Sequence, residues 1–127
     1  MALRCLIVDD SADFVAAARD LLERQGMAVV GVASTSAEAL KQVRDAQPDV
    51  ALVDIDLGGE SGLDLVDTLS GTEGLEGLPL VLISTYAEKD FEDVLEASPA
   101  AGFLTKSTLS ASAIRDVIAA ASGCPGR

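Results

Sequence analysis

Short apolar runs separated by amphipathic stretches set the pattern of this chain. Leu3 to Val8, Met27 to Ala33, Asp49 to Val53, Leu80 to Ile83 and Gly102 to Thr105 have the length and apolar content of buried strands. Between them the period changes. After a cap at Ser11 or Asp13, Phe14, Ala18, Leu21 and Leu22 recur at helical spacing, and Gly26 supplies the stop. Thr35-Ser36-Ala37-Glu38 has the spacing of a capping box, Leu40 and Val43 give the next helix a buried stripe, and Pro48 ends it. A third helix after Gly58-Gly59 uses Leu63, Val66 and Leu69, followed by a polar loop from Ser70 to Gly77. A fourth, Glu88 to Ser98, carries Phe91, Val94 and Leu95, and a fifth carries Ile114, Val117, Ile118 and Ala121.

Five strands alternating with five helices predict an α/β fold, a parallel sheet covered on both faces. The doubly wound, flavodoxin-like strand order 2-1-3-4-5 is expected, and it makes strands one and three neighbours where the winding reverses. Ligands bind beyond the carboxyl ends of strands at such a switch point. Those ends are Asp9-Asp10 and Asp54. The whole pattern fits one domain over residues 1–121, with 122–127 a tail or the start of a linker.

Composition narrows the classes. The chain has 9 Lys+Arg against 21 Asp+Glu, a formal net charge of −12, so direct nucleic-acid binding is not expected of it. No stretch approaches the roughly 20 apolar residues of a membrane span, and a cytoplasmic domain without membrane contact is expected. With 0 His, Ser-His and Cys-His nucleophilic machinery and His-based metal sites are excluded. Cys5 and Cys124 read as free thiols, since a chain of 127 residues needs no disulfide staple.

The chemistry lies at the strand ends. Two unit charges about 4 Å apart repel by roughly 4 kcal/mol at an effective dielectric near 20, so clustering Asp9, Asp10 and Asp54 without a cation is costly. Hard oxygen donors suit Mg2+ or Mn2+, which bind through a few carboxylates and leave positions for a phosphate. One carboxylate can then attack phosphorus while Lys106 and Ser84, at the ends of the fifth and fourth strands, hold the phosphoryl oxygens.

In this order, the acidic pair Asp9-Asp10, the run Pro48 to Asp56, Ser84 after Pro79-Leu80-Val81-Leu82-Ile83, and Gly102-Phe103-Leu104-Thr105-Lys106 closely resemble the receiver domain of bacterial two-component response regulators. The likeness runs from Leu3 to about Ala121. It implies that Asp54 is phosphorylated from a phosphohistidine on a sensor histidine kinase, with magnesium held by Asp9, Asp10, Asp54 and the backbone carbonyl of Asp56. It makes Lys106 the partner of the phosphoryl group, Ser84 the hydroxyl that moves to bond it, and Phe103 the aromatic that turns inward behind that hydroxyl. Asp56 and Tyr86 fall where dephosphorylation is tuned, and the bulk of Tyr86 is expected to slow self-hydrolysis. Output, including homodimerisation, is expected through the face of the fourth helix, fifth strand and fifth helix.

The sequence departs from that family in places. Leu57-Gly58 stands where Met-Pro is usual, which frees the loop, Ser107 stands where a cis-proline is usual, and Thr85 is bulkier than is common. Two other readings compete. Asp54-Ile55-Asp56 resembles the nucleophile motif of haloacid-dehalogenase-type phosphatases, although those enzymes carry it on the first strand. An unphosphorylated interaction module on the same fold would bind no magnesium. Each residue also has a plain structural role available: Asp9 and Asp10 as helix-capping acids, Lys106 as a surface lysine, Phe103 as core.

Overall fold

A computed structural model of the chain describes residues 3–72, 78–85 and 100–122. The predicted helix from Glu88 to Ser98 and residues Tyr86 and Cys124 lie outside them. Five strands, β1 (Arg4–Val8), β2 (Ala28–Ala33), β3 (Val50–Asp54), β4 (Leu80–Ser84) and β5 (Gly102–Thr105), form one parallel sheet in the order β2-β1-β3-β4-β5. The expected α/β fold and its strand order are therefore observed. Helices α1 (Ala12–Arg24), α2 (Ser36–Ala46), α3 (Gly62–Ser70) and a C-terminal helix, Ala111–Ser122, flank the sheet.

The two-residue period of the strands divides the interior. Cys5, Ile7, Val50, Leu52, Val81 and Ile83 face one side, where Ala18 and Leu22 of α1 and Ile114 of the C-terminal helix cover them. Leu6, Val8, Ala51, Val53, Leu80 and Leu82 face the other, beneath Ala39 and Val43 of α2 and Leu65, Val66 and Leu69 of α3. A sheet buried on both faces explains why the strands read as nearly continuous apolar runs instead of alternating. Leu65 joins the stripe that sequence spacing assigned to Leu63, Val66 and Leu69, while Leu63 is only half-buried.

Local chemistry sets the helix ends. Ser11 caps α1, its hydroxyl accepting from the Phe14 N–H at 3.3 Å, and Thr35 caps α2 in the same way from Glu38 at 3.2 Å. The Glu38 carboxylate departs from a strict capping box: it accepts from the N–H and hydroxyl of Ser34, both at 2.8 Å, one residue earlier than the box requires. Steric clash with the proline ring disfavours αR in the residue before it, so α2 stops at Ala46 and Gln47, ahead of Pro48, turns left-handed at φ 48°. Arg4 then donates to the exposed carbonyls of Ala46 and Gln47 at 2.6 and 2.9 Å.

One close approach controls the register of β3 against α3. A Cβ on Gly62 would lie 1.8 Å from the Asp54 carbonyl oxygen and 2.9 Å from the Ile55 Cα, both fixed backbone atoms. Only glycine permits the Gly62 N–H to donate to the Ile55 carbonyl at 2.7 Å. Gly62→Ala is therefore expected to destabilise the fold by about 3 kcal/mol, read as a lowered urea midpoint.

Burial also fixes the state of Cys5, whose thiol is pushed from 9.0 up to about 12. A raised folded-state value favours the protonated thiol, so its contribution is complete below the unfolded value and is lost as pH rises from about 9 toward 12. In a Cys124→Ser background, Cys5 is expected to resist iodoacetamide in the native protein and to react fully in concentrated urea. The unfolding midpoint is expected to fall above pH ~9.

Candidate functional site

The carboxyl ends of β1, β3, β4 and β5 meet at one edge of the sheet, and the polar residues there are unusually well buried. Asp9, which follows β1, continues the ladder by donating its N–H to the Ala33 carbonyl at 2.9 Å. It is 2% exposed; Asp54, the last residue of β3, is 6% exposed and Ser84, the last of β4, 4%. Strand β3 thus runs one residue further than its apolar run suggests, because Asp54 still pairs with Ile83 and the Ile55 N–H donates to the Ile83 carbonyl at 3.0 Å. The ladder carries a carboxylate into the interior.

One oxygen from each of Asp9, Asp10 and Asp54 falls within 4.8 Å of the others. Lys106, directly after β5, extends its ammonium to Asp9 Oδ2 at 2.7 Å and Asp54 Oδ2 at 3.2 Å. Its side chain is 17% exposed, so the contacts are only partly screened by water. Three carboxylates against one ammonium leave an excess of negative charge. Asp9 Oδ2 has no backbone donor aligned on it, and its compensation is the charged contact with Lys106.

Backbone donors orient the other oxygens. The Ser11 N–H donates to Asp9 Oδ1 at 2.8 Å, and the Asp56 N–H to Asp54 Oδ1 at 3.1 Å. Burial raises the Asp54 carboxyl above its ordinary value; the Asp56 N–H opposes this, the Asp9 charge adds to it, and Lys106 opposes it. For Lys106, burial pulls the ammonium down, but the hydrogen bonds and charges of Asp9 and Asp54 outweigh it and the net direction is up. The lysine is a firmly protonated cation.

Asp10, Asp54, Asp56, Gly58, Ser84 and Thr85 line a cavity of about 220 Å³ open to solvent. It has room for a phosphoryl group and several waters, at roughly 30 Å³ for each water. Ser84 is buried at its wall and Thr85 exposed beside it. The donor set, hard oxygens only, an Asp9 oxygen lacking an aligned donor, and an ammonium contact on one side, fits a divalent cation such as Mg2+.

The structure thus gathers Asp9, Asp10, Asp54, Asp56, Ser84 and Lys106. Phe103 is half-buried in β5 opposite Leu82, packed on the α3 side of the sheet. Tyr86 is not among the described residues. The two departures in the loops have distinct shapes. Gly58 adopts φ 76°, which proline cannot, donates to Asp56 Oδ1 at 3.0 Å, and approaches Asp10 so closely that a Cβ would meet its Oδ2 at 2.8 Å. The described residues contain no cis peptide; Lys106–Thr108 forms a 3-10 turn, closed by Thr105 Oγ1 against Ser107 Oγ at 3.2 Å and Thr108 Oγ1 at 2.8 Å.

Sequence reasoning missed Phe14, Gly58 and Gly62 as parts of the site. Phe14 sits in α1 at helical spacing with the core and carries no mark of its own, yet the Lys106 ammonium lies 4.3 Å from its ring centroid. The glycines did carry a signal, since Gly58, Gly59 and Gly62 all fall within eight residues of Asp54, but the tight approaches of Gly58 and Gly62 are visible only in three dimensions.

Comparison with known proteins agrees with this arrangement. A response regulator receiver domain model matches residues 5–119. The response regulator GacA of Pseudomonas viridiflava is 34% identical over 106 residues, covering 82% of this chain and 48% of that protein. A protein-glutamate methylesterase/protein-glutamine glutaminase of Syntrophomonas wolfei is 34% identical over 95 residues, covering 74% of this chain and 26% of its own length. The chain therefore spans between a quarter and a half of these two relatives. The signal receiver domain of the putative response regulator NarL from Mycobacterium tuberculosis superposes with a TM-score of 0.78 at 29% identity, over 96% of this chain and 98% of that one. A parallel sheet in the order β2-β1-β3-β4-β5, an acidic cluster at its switch point and a sequence match across nearly its full length lead to one assignment: this chain belongs to the response regulator receiver domain family.

Proposed function

We propose that the domain accepts a phosphoryl group on Asp54 from the phosphohistidine of a sensor histidine kinase and changes conformation in response. The observation that carries this reading is the meeting of Asp9, Asp54 and Lys106, with the ammonium 2.7 and 3.2 Å from the two carboxylates beside an open cavity. Membership in the family implies a phosphodonor kinase as partner in general, and the domain itself is a signalling domain.

In the proposed transfer, an Asp54 oxygen attacks phosphorus as the bond to the donor nitrogen breaks, and the bonding electron pair leaves with the imidazole. The product is an acyl phosphate. The Asp56 N–H on Asp54 Oδ1 fixes the carboxylate plane and leaves Oδ2 on the Lys106 side. Lys106 moves from a carboxylate contact to a phosphoryl oxygen, supplying positive charge where negative charge develops. The Ser84 hydroxyl, at the cavity wall, donates to another oxygen. Asp9, Asp10, Asp54 and the Asp56 carbonyl are the proposed holders of Mg2+ or Mn2+, which when bound would neutralise phosphoryl charge.

The switch needs two conformations separated by a few kcal/mol, biased by the new contacts of Ser84 and Lys106. Phe103, half-buried next to the β5 end, is the proposed aromatic responder. Asp56, which borders the cavity, and Tyr86 are the proposed tuners of hydrolysis, and β5 with the C-terminal helix belongs to the proposed output and homodimer face. Residues 1–121 constitute the proposed phosphoacceptor unit, working in the cytoplasm without nucleic-acid or membrane contact of its own; among the described residues no helix is long and apolar enough to cross a membrane.

Intact-mass measurement after incubation with acetyl phosphate and Mg2+ tests the chemistry. A gain of one phosphoryl group is expected in the wild type, none in Asp54→Asn, and none when a chelator removes the metal. Steady turnover of p-nitrophenyl phosphate without a stable phosphorylated species would contradict the proposal.

A further inference from the structure

The third side of the Lys106 ammonium is occupied by an aromatic ring. An ammonium has three donor directions and holds a tight hydration shell in the open. Here Asp9 Oδ2 and Asp54 Oδ2 take two sides, and the face of Phe14, its centroid 4.3 Å from Nζ, covers another. That distance lies well inside the range of about 6 Å over which a ring quadrupole attracts a cation.

Phe14 is held there by the same residues that hold Asp9. The Ser11 N–H donates to Asp9 Oδ1 at 2.8 Å, the Ser11 hydroxyl accepts from the Phe14 N–H at 3.3 Å, the Phe14 ring faces Lys106, and Lys106 returns to Asp9 Oδ2 at 2.7 Å. The circuit closes on itself. The backbone after Lys106 offers a different restraint, because the 3-10 turn at Lys106–Thr108 adds contacts of the Thr105 hydroxyl with those of Ser107 and Thr108, none of which reaches the lysine head group. Those hydroxyls fix the backbone of the turn and leave the four-carbon lysine stem free to swing. The ring acts on the head group itself.

We infer that Phe14 is a positioning residue for phosphoryl transfer: its ring retains the Lys106 ammonium beside Asp54 when Asp9 is engaged by another cation. The inference rests on the proposed phosphorylation of Asp54. A carboxylate shared with a second cation pulls less on the ammonium, and the ring, being uncharged, is not shared. Without it the ammonium is drawn outward into water, and each transfer must first recover its position. A leucine fills similar space without a quadrupole, whereas tyrosine keeps the ring face.

Two measurements on the intact chain decide this. The maximal rate of phosphorylation by acetyl phosphate at saturating Mg2+ is expected to fall about three- to tenfold in Phe14→Leu and to stay within about twofold of wild type in Phe14→Tyr. Protons on the Lys106 ε-carbon, assigned by NMR of lysine-labelled protein, are expected to be shifted upfield by the ring. The shift should persist when Mg2+ saturates and vanish in Phe14→Leu. A Phe14→Leu rate equal to wild type, a Phe14→Tyr rate as low as that of Phe14→Leu, or loss of the shift on adding Mg2+ would overturn the inference. If the wild type gains no phosphoryl group, the phosphoacceptor reading itself fails, while the ring-current shift still reports separately whether Phe14 holds the ammonium.

Discussion

Repulsion among Asp9, Asp10 and Asp54 is the constraint around which this edge of the molecule is organised. Their oxygens converge within 4.8 Å, and two of the three residues are almost fully buried. A buried carboxylate needs a cation or strong donors to remain ionised. Lys106 supplies one charge, the Ser11 and Asp56 N–H groups supply dipoles, and the sum is still short of neutral. A site in that condition favours a divalent cation and, with it, a phosphoryl group. The fold keeps its acids together at a cost that a bound cation would relieve.

The fold can do so because the sheet is rigid where the acids emerge. Parallel pairing of β1 with both β2 and β3 fixes Asp9 and Asp54 side by side, and the apolar layers on both faces oppose any relaxation of the strands. Glycine completes the arrangement from outside. Gly62 lets the start of α3 touch the Asp54 carbonyl, and Gly58 lets the loop lie against the Asp10 carboxylate. Lys106 reaches the cluster from the turn that follows β5, so a displacement of that strand end and a change in the carboxylates are mechanically linked. That linkage is the physical basis on which a phosphoryl group could bias the conformation of the β5 region.

Much of this was legible in the sequence because two simple signals coincide. Apolar runs of strand length alternating with helical stripes fix the architecture, and acids placed immediately after two of those runs must meet once strands one and three are neighbours. Lys106 and Ser84 follow from the same reasoning, Ser84 ending β4 and Lys106 directly following β5 on the same edge. What sequence could not show depends on distances between distant segments. Phe14 at helical spacing is indistinguishable from an ordinary core residue until Lys106 arrives over its ring. Gly58 reads as a loosened loop, yet its left-handed backbone is engaged with both Asp56 and Asp10. Ser34, one residue before the expected capping box, donates both its N–H and its hydroxyl to the Glu38 carboxylate, a contact the four-residue motif does not include.

The central claim, that the acids are held together against their own charge and await a cation, is tested most directly by urea unfolding of the wild type and Asp54→Asn, each in chelator and in excess Mg2+. Removing one charge with little change of shape relieves the repulsion and removes a metal donor. The account predicts that Asp54→Asn is the more stable of the two in chelator and that Mg2+ stabilises the wild type much more than the variant. A variant less stable than wild type without metal, together with equal stabilisation of both by Mg2+, would contradict it.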